Sequence, residues 1–276
     1  MEQGVLYVVA TPLGNLGDFS ARAQETLAGV ALIAAEDTRH SGWLLRHFGI
    51  TTPLIALHEH NERERSAELI ARLQRGDALA LISDAGTPLI SDPGYTLVRA
   101  AHTAQIRVCP VPGPSALIAA LSASGLPSDR FVFEGFLPPR AAARRTQLEA
   151  VRHEQRTLIF YEAPHRLLDC LSDMRTVFGI EREAVLAREI TKLFETIRHD
   201  SLQGLHDFVG ADPQQQQGEC VILVHGAPAP LASGHDHETL LRALLTELPV
   251  KQAARLAAAI SGARKNDLYD LALRLK

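Results

Sequence analysis

The chain has 276 residues, 46% of them hydrophobic and 22% charged, with a formal net charge of −4. That balance excludes a disordered chain. It also excludes a membrane-spanning one, because no apolar run approaches the length of a bilayer crossing, and a polycation, so any nucleic acid must be held by a local patch. Cys109, Cys170 and Cys220 lie far apart without metal-like spacing, which fits reduced thiols and a cytoplasmic location.

In chain order, M-E-Q-G is acidic, reads as no signal peptide, and leads straight into Val5–Ala10, a continuous apolar run of the kind a buried parallel strand carries. The run breaks into T-P-L-G-N-L-G-D, after which Ser20 is placed to cap a helix through Leu27. Ala31–Ala35 is a second strand, ending in Glu36-Asp37-Thr38-Arg39 and followed by a helix through Phe48. Leu54–Leu57 is a third, running into H-E-H-N-E and an amphipathic helix from Glu62 to Arg75. Ala78–Ile82 is a fourth, emptying into S-D-A-G-T-P-L-I-S-D-P-G before a helix at Tyr95. Arg107–Val111 is a fifth, ending in P-V-P-G-P-S-A and a helix from Ser115 to Ser124. Strands alternating with helices of this length predict a mostly parallel sheet covered on both faces. All five polar, Gly/Pro-rich loops then converge on one edge, where α/β proteins bind ligands.

L-P-S-D-R reads as a hinge into a second α/β domain with strands at 131–136, 157–161, 184–187 and 196–199, and a last, antiparallel or mixed strand at 219–224. H-G-A-P-A-P-L-A-S-G at 225–234 is linker-like. Beyond it lie three helical segments, the last two across a Gly turn as in a helix-turn-helix, with Asn266 placed to cap the final one. From Lys251 onward six basic residues face two acidic ones, which suits either a solvated interaction domain or RNA contact. The expected division is residues 1–125, 126–227 and 228–276.

The loops lack a Walker A, G-x-G-x-x-G and G-x-S-x-G, so neither a phosphate-loop nor a serine-hydrolase reading is available. His58-Glu59-His60 matches no metal-ligand spacing, and no metal is expected. Ser115 is an N-cap candidate that could equally offer its hydroxyl to a ligand. Asp37 has two open roles: a carboxyl tuned into a general base by Glu36 and Arg39, or the cap of the following helix.

The set T-P-L-G-N-L-G-D, A-A-E-D-T-R, S-D-A-G-T-P-L-I-S-D-P-G-Y, P-V-P-G-P-S-A and F-Y-E-A-P-H-R, in this order, resembles the tetrapyrrole methylase superfamily. Within it, the set is similar to the branch that methylates small-subunit ribosomal RNA. The resemblance covers about residues 5 to 225 and, more weakly, the helical tail. It implies two α/β domains of the tetrapyrrole methylase type with S-adenosylmethionine (SAM) in the cleft between them, a small helical C-terminal domain and a homodimer. It also implies 2′-O-methylation of a cytidine in the decoding region of 16S rRNA. Carried over by position, the SAM contacts fall on Pro12, on Ala85, Gly86 and Thr87 with Asp84 beside them, on Ile90, on Ser115 and Ala116, and on Tyr161 or Glu162. Where tetrapyrrole-making members have G-G-D-P this chain has A-G-T-P, so the acid at that turn is lost. The superfamily's base position falls on Asp37, with Arg39 or Lys192 placed to stabilise developing negative charge. Arg140, Arg144, Arg145, Arg166 and Arg188 are candidates to hold RNA phosphates, against the plainer reading of solvated surface arginines. Two rival functions stand beside this one: a precorrin C-methyltransferase, and a regulatory module that binds SAM or a nucleotide without catalysis.

Overall fold

The computed structural model describes residues 4–228 and 234–275. Met1–Gly226 form one compact unit and Ala227–Lys276 a second. In the first unit, β1 (Val5–Val9), β2 (Leu32–Ala35), β3 (Leu54–Ala56), β4 (Leu79–Ile82) and β5 (Arg107–Val111) make an all-parallel sheet in the order β3-β2-β4-β1-β5. The register is regular, with Leu6 opposite Leu79 and Val8 opposite Leu81. Strands buried on both faces cannot alternate in polarity, which is why β2 and β4 read as unbroken apolar runs. On one face α1 (Ala21–Gly29) and α2 (Thr38–His47) bring Ala23, Leu27, Leu44 and Leu45 against Val9, Ile33 and Ile82. On the other, α3 (Glu62–Gln74) and α4 (Tyr95–Thr103) bring Leu69, Leu73, Leu97 and Ala101 against Leu6, Leu79 and Leu81.

The next helix, α5 (Ala116–Ser124), packs elsewhere: Leu117, Ala120 and Leu121 lie against Ile159, Val185, Ala187, Val221 and Leu223 of a second sheet. That sheet contains β6 (Phe131–Phe136), β7 (Thr157–Glu162), β8 (Glu183–Arg188), β9 (Thr196–Ser201) and β10 (Cys220–Val224), in the order β6-β7-β10-β8-β9. Only β6 and β7 are parallel; β10 runs antiparallel to β7 and β8, and β9 antiparallel to β8. Its other face carries α6 (Ala141–Ala150), α7 (Leu167–Phe178) and α8 (Leu202–Ala211), through Leu148, Leu171, Met174, Leu205 and Val209. Because α5 follows β5 directly yet covers the second sheet, it clamps the two sheets together and places its N-terminus between them.

The second unit holds α9 (Gly234–Leu245), α10 (Val250–Ser261) and α11 (Lys265–Leu275) around Leu241, Ala253, Ala254, Ala257, Leu268 and Ala272. Gly262, at φ 70°, ends α10 in the left-handed turn the sequence places there. The last helix starts at Lys265, so Asn266 lies in its first turn and does not cap it. Of the linker reading at 225–234, residues 229–233 lie outside the described residues, as does Lys276 in the basic tail. Among the described residues no helix is long and apolar enough to cross a membrane.

Candidate functional site

The loops after β1 and β4 are stitched together. Thr11 and Gly86 exchange backbone hydrogen bonds of 2.9 and 3.1 Å, and the Thr11 hydroxyl donates to the Ser83 carbonyl. Gly86 sits at φ 81°, and a side chain there would press on Leu13. Thr87 donates its hydroxyl to the Pro114 carbonyl at 2.9 Å, tying this turn to the loop after β5. Further along, Leu89 and Ser91 hold left-handed backbone at φ 74° and 66°, which costs on the order of 1–3 kcal/mol each. The Glu62 carboxylate stops the loop by accepting the Gly94 and Thr96 amides at the start of α4.

These loops and the second sheet enclose a cavity of about 440 Å³, within the range of small-molecule sites. Ala85, Gly86, Thr87, Ile90, Ser115, Ala116, Tyr161 and Glu162 line it, as does Asp84. Pro12 is buried one position short of the wall, and its neighbour Leu13 takes that place. The apolar side is completed by Phe136 and Ile190, neither of them marked in the sequence by any turn or charge signal.

Ser115 begins α5 but makes no cap bond. Instead the Tyr161 hydroxyl, from β7, accepts the Leu117 amide at 3.1 Å. The Tyr161 ring is set by edge contacts with Phe133 and Phe136, and burial pushes its pKa up to about 12, so it stays a neutral phenol. Ser115, with no cap bond of its own, and Ala116 therefore line the cavity beside a phenol that already holds the Leu117 amide.

The cavity's charge has one sign. Glu36, Asp84, Asp92, Glu162 and Glu219 line it, and among the described residues no lysine or arginine does. Glu162 is neutralised by Arg166 at 2.9 Å from behind the wall. Lys192 reaches Glu189 at 2.7 Å and Glu219 at 3.1 Å, its stem lying over Gly14 of the loop after β1. Among the described residues, Glu36, Asp84 and Asp92 have no such cation. Burial, with Asp92 and Asp84 nearby, raises the Glu36 pKa to about 7; burial, then Asp84, raises that of Asp92 to about 6.

Asp37 is differently engaged. Its carboxylate caps α2, accepting the Arg39 and His40 amides, and pairs with the Arg39 guanidinium at 3.2 Å. The Arg39 hydrogen bond holds its pKa below the usual carboxylate range. Neither Asp37 nor Arg39 is part of the cavity wall. Of the two roles the sequence leaves open for Asp37, the structure shows the cap, and an aspartate that caps a helix leaves the residue before it, Glu36, at the strand's mouth.

Among the candidate RNA-binding arginines, Arg140 is exposed and Arg145 half-exposed. The structure corrects two of the others. Arg144 is 5% exposed in an ion pair with Asp173 at 2.7 Å, and Arg188 is buried, donating to the carbonyls of Gln217 and Phe194. Arg166 is the mostly buried partner of Glu162. His58 is held by Asn61 in a turn, at 3.2 Å.

Residues 5–206 match the family model of the tetrapyrrole (corrin/porphyrin) methylases, and residues 232–276 that of the RsmI C-terminal HTH domain. The chain belongs to the tetrapyrrole methylase family. It is 64% identical to the ribosomal RNA small subunit methyltransferase I of Pseudomonas aeruginosa, over 99% of this chain and 98% of that one. Identity to the protein of the same name from Escherichia coli O157:H7 is 54%, over 98% and 95%. Among solved structures, the fold is similar to uroporphyrin-III-C-methyltransferase from Thermus thermophilus, with a TM-score of 0.58 at 20% identity over 81% of this chain and 94% of that one. It is also similar to diphthine synthase, with a TM-score of 0.62 at 15% identity over 80% and 89%. In this methylase fold the cavity lies where the loops of the parallel sheet meet the second sheet, the crevice the sequence pattern anticipates.

Proposed function

We propose that the chain uses SAM to methylate the 2′-hydroxyl of a cytidine in the decoding region of 16S rRNA, in the small ribosomal subunit, as a cytoplasmic homodimer. The names of its full-length relatives support the substrate. The observation that carries the donor is the cavity wall: among the described residues it holds five carboxylates, Glu162 and Glu219 paired with cations behind it and Glu36, Asp84 and Asp92 without one, and no lysine or arginine lines it. Such a wall favours a ligand with positive centres, as the sulfonium and ammonium of SAM provide, and disfavours a phosphorylated nucleotide. It equally disfavours a macrocycle bearing many carboxylates, which weighs against the precorrin reading. The backbone cradle at Ala85-Gly86-Thr87, the apolar Leu13 and Ile90, and the helix start at Ser115–Ala116 suit an adenosyl moiety, with Tyr161 and Glu162 opposite.

When bound, SAM supplies an electrophilic methyl group that passes to an oxygen nucleophile and leaves a neutral thioether. The chain's own task is to align the ribose hydroxyl and take its proton. Glu36 fits that role better than Asp37. It lines the cavity, and its pKa near 7 leaves a population that is both ionised and basic. Asp37 is tied into the α2 cap. Arg39 is exposed at that cap, and Lys192 stands behind Glu219, where each could offset negative charge on an approaching substrate. The dimer reading is supported by the edge strand β9 and the segment leading into it, where Ile197 on the strand and Leu193 and Phe194 before it leave apolar surface exposed.

The decisive experiment incubates tritiated SAM and the purified chain with small subunits from a strain lacking it, and maps the label. Label on the ribose of one decoding-region cytidine is the expected result. Label on a base overturns the chemistry, and transfer to a precorrin instead restores the rival.

A further inference from the structure

Helix α2 begins at the cavity's rim, its cap Asp37 directly following Glu36, and has an unusual outer face. Its inner side is buried through Ser41, Gly42, Leu44 and Leu45. Outward it presents Arg39, His40, Trp43, Arg46 and His47, all exposed. Between Thr38 and His47 there is no acidic residue, although acids outnumber lysine plus arginine in the whole chain, 32 to 28. Trp43 is 56% exposed, a large apolar ring left in water. It is stacked on His47, with ring centroids 5.9 Å apart and planes 27° from parallel. Arg46 lies over Gly42, with no ion pair among the described residues. Only Arg39 shares its charge with a carboxylate, that of Asp37.

We infer that this face of α2 is a binding track for single-stranded RNA flanking the target nucleotide, with Trp43 and His47 stacking bases and Arg46 holding phosphate. The inference rests on the rRNA reading above. Charge complementarity selects the occupant. An unpaired arginine set among flat rings, with the one carboxylate at the helix start already bound to Arg39, matches a polyanion whose bases are unstacked, and fits poorly to an acidic or purely apolar protein surface. Position agrees. The helix is roughly 15 Å long and starts beside the proposed base, so a strand lying along it passes a few nucleotides from the reacting ribose. It also answers the charge problem: a chain of net charge −4 needs a local patch, and two of the five arginines proposed from sequence are buried in ion pairs or on carbonyls.

Trp43 is the sole tryptophan of the chain, so its emission reports on this face alone. The full-length protein is titrated with a short cytidine-containing single-stranded RNA, and with the same strand in a duplex. Saturable quenching by the single strand that weakens as salt rises supports the track. In parallel, Trp43→Ala and Arg46→Ala are assayed on small subunits. KM for the subunit rises about tenfold in each, as loss of one stacked base or one phosphate contact allows, with kcat and SAM affinity unchanged. If the wild type methylates subunits while RNA leaves the emission unaltered and both variants keep their KM, the track is wrong. If emission instead follows protein concentration alone, the face is a contact between copies, and the track is equally overturned. Quenching by RNA without any methylation of subunits sinks the rRNA-methylation reading and leaves the track standing.

Discussion

Glu36 and Asp37 are neighbours with opposite environments, and this separates their chemistry. Burial beside Asp92 and Asp84 pushes the first up to about 7, while Arg39 holds the second down. Methyl transfer should therefore rise with pH through about 7, because Glu36 is protonated and inactive below that point. Glu36→Gln should lower kcat by about 100-fold or more and remove the pH dependence. Asp37→Asn, which keeps a capping side chain, should stay near wild type; a dead Asp37→Asn beside an active Glu36→Gln would return the base to Asp37. Stability supplies an independent check. A carboxyl with its folded pKa above its unfolded value of 4.5 binds more protons when folded, so stability falls as pH rises from about 4.5 to 7. Glu36→Gln should therefore raise the stability at pH 8 by on the order of 1 kcal/mol once solvent screening is allowed for, seen as a higher melting temperature, and leave it nearly unchanged at pH 4. The sequence places both acids at a strand end. Which one turns inward depends on the cap, and the pKa difference depends on Asp92, which arrives from a loop more than fifty positions away.

Among the elements, the loop after β4 and helix α6 make contrasting demands. The loop carries left-handed backbone at Gly86, Leu89, Ser91 and Gly94, and only the glycines announce it in the sequence. Gly86→Ala should cost about 1–2 kcal/mol, through positive φ and the approach to Leu13, and should weaken SAM binding measured by calorimetry. Unchanged affinity would mean that the turn does not cradle the donor. On α6, Arg144 looks from sequence like its exposed neighbour Arg145, yet Asp173 of α7 receives both. The helical period cannot separate them, because the burying partner comes from another helix. Arg144→Met leaves Asp173 without its buried partner and should cost about 3–5 kcal/mol in chemical denaturation, with no rise in KM for RNA. Replacing both, as Arg144→Met with Asp173→Leu, should recover much of that loss. A variant of normal stability with a raised KM would return Arg144 to the RNA surface.

For the whole molecule, the sheet order explains why one short loop cannot make the site. β1 lies between β4 and β5, so the loops after all three meet at one mouth, and α5 carries the chain to the second sheet that closes it. Alternation of strands and helices makes the first sheet legible, because a parallel sheet leaves a regular pattern. The second sheet is less so: β10 is legible as a last, antiparallel or mixed strand, but its place between β7 and β8 is not, because it pairs with strands distant in the chain. The helical unit after Gly226 has its own core, and the first unit holds every residue that lines the cavity. A chain ending at Gly226 should accordingly unfold cooperatively and bind SAM with the full chain's affinity. Its Lys251, Arg255, Arg264, Lys265 and Arg274 would be gone, four of them on exposed turns of helices and Arg264 between two. If those cations hold ribosomal phosphates, the truncated chain shows a KM for subunits raised about tenfold or more and a shallower dependence on salt, with kcat kept. Equal KM and equal salt slope would exclude RNA from the tail and leave it a protein-binding module, whereas loss of SAM binding would show that the donor site needs the helices after all.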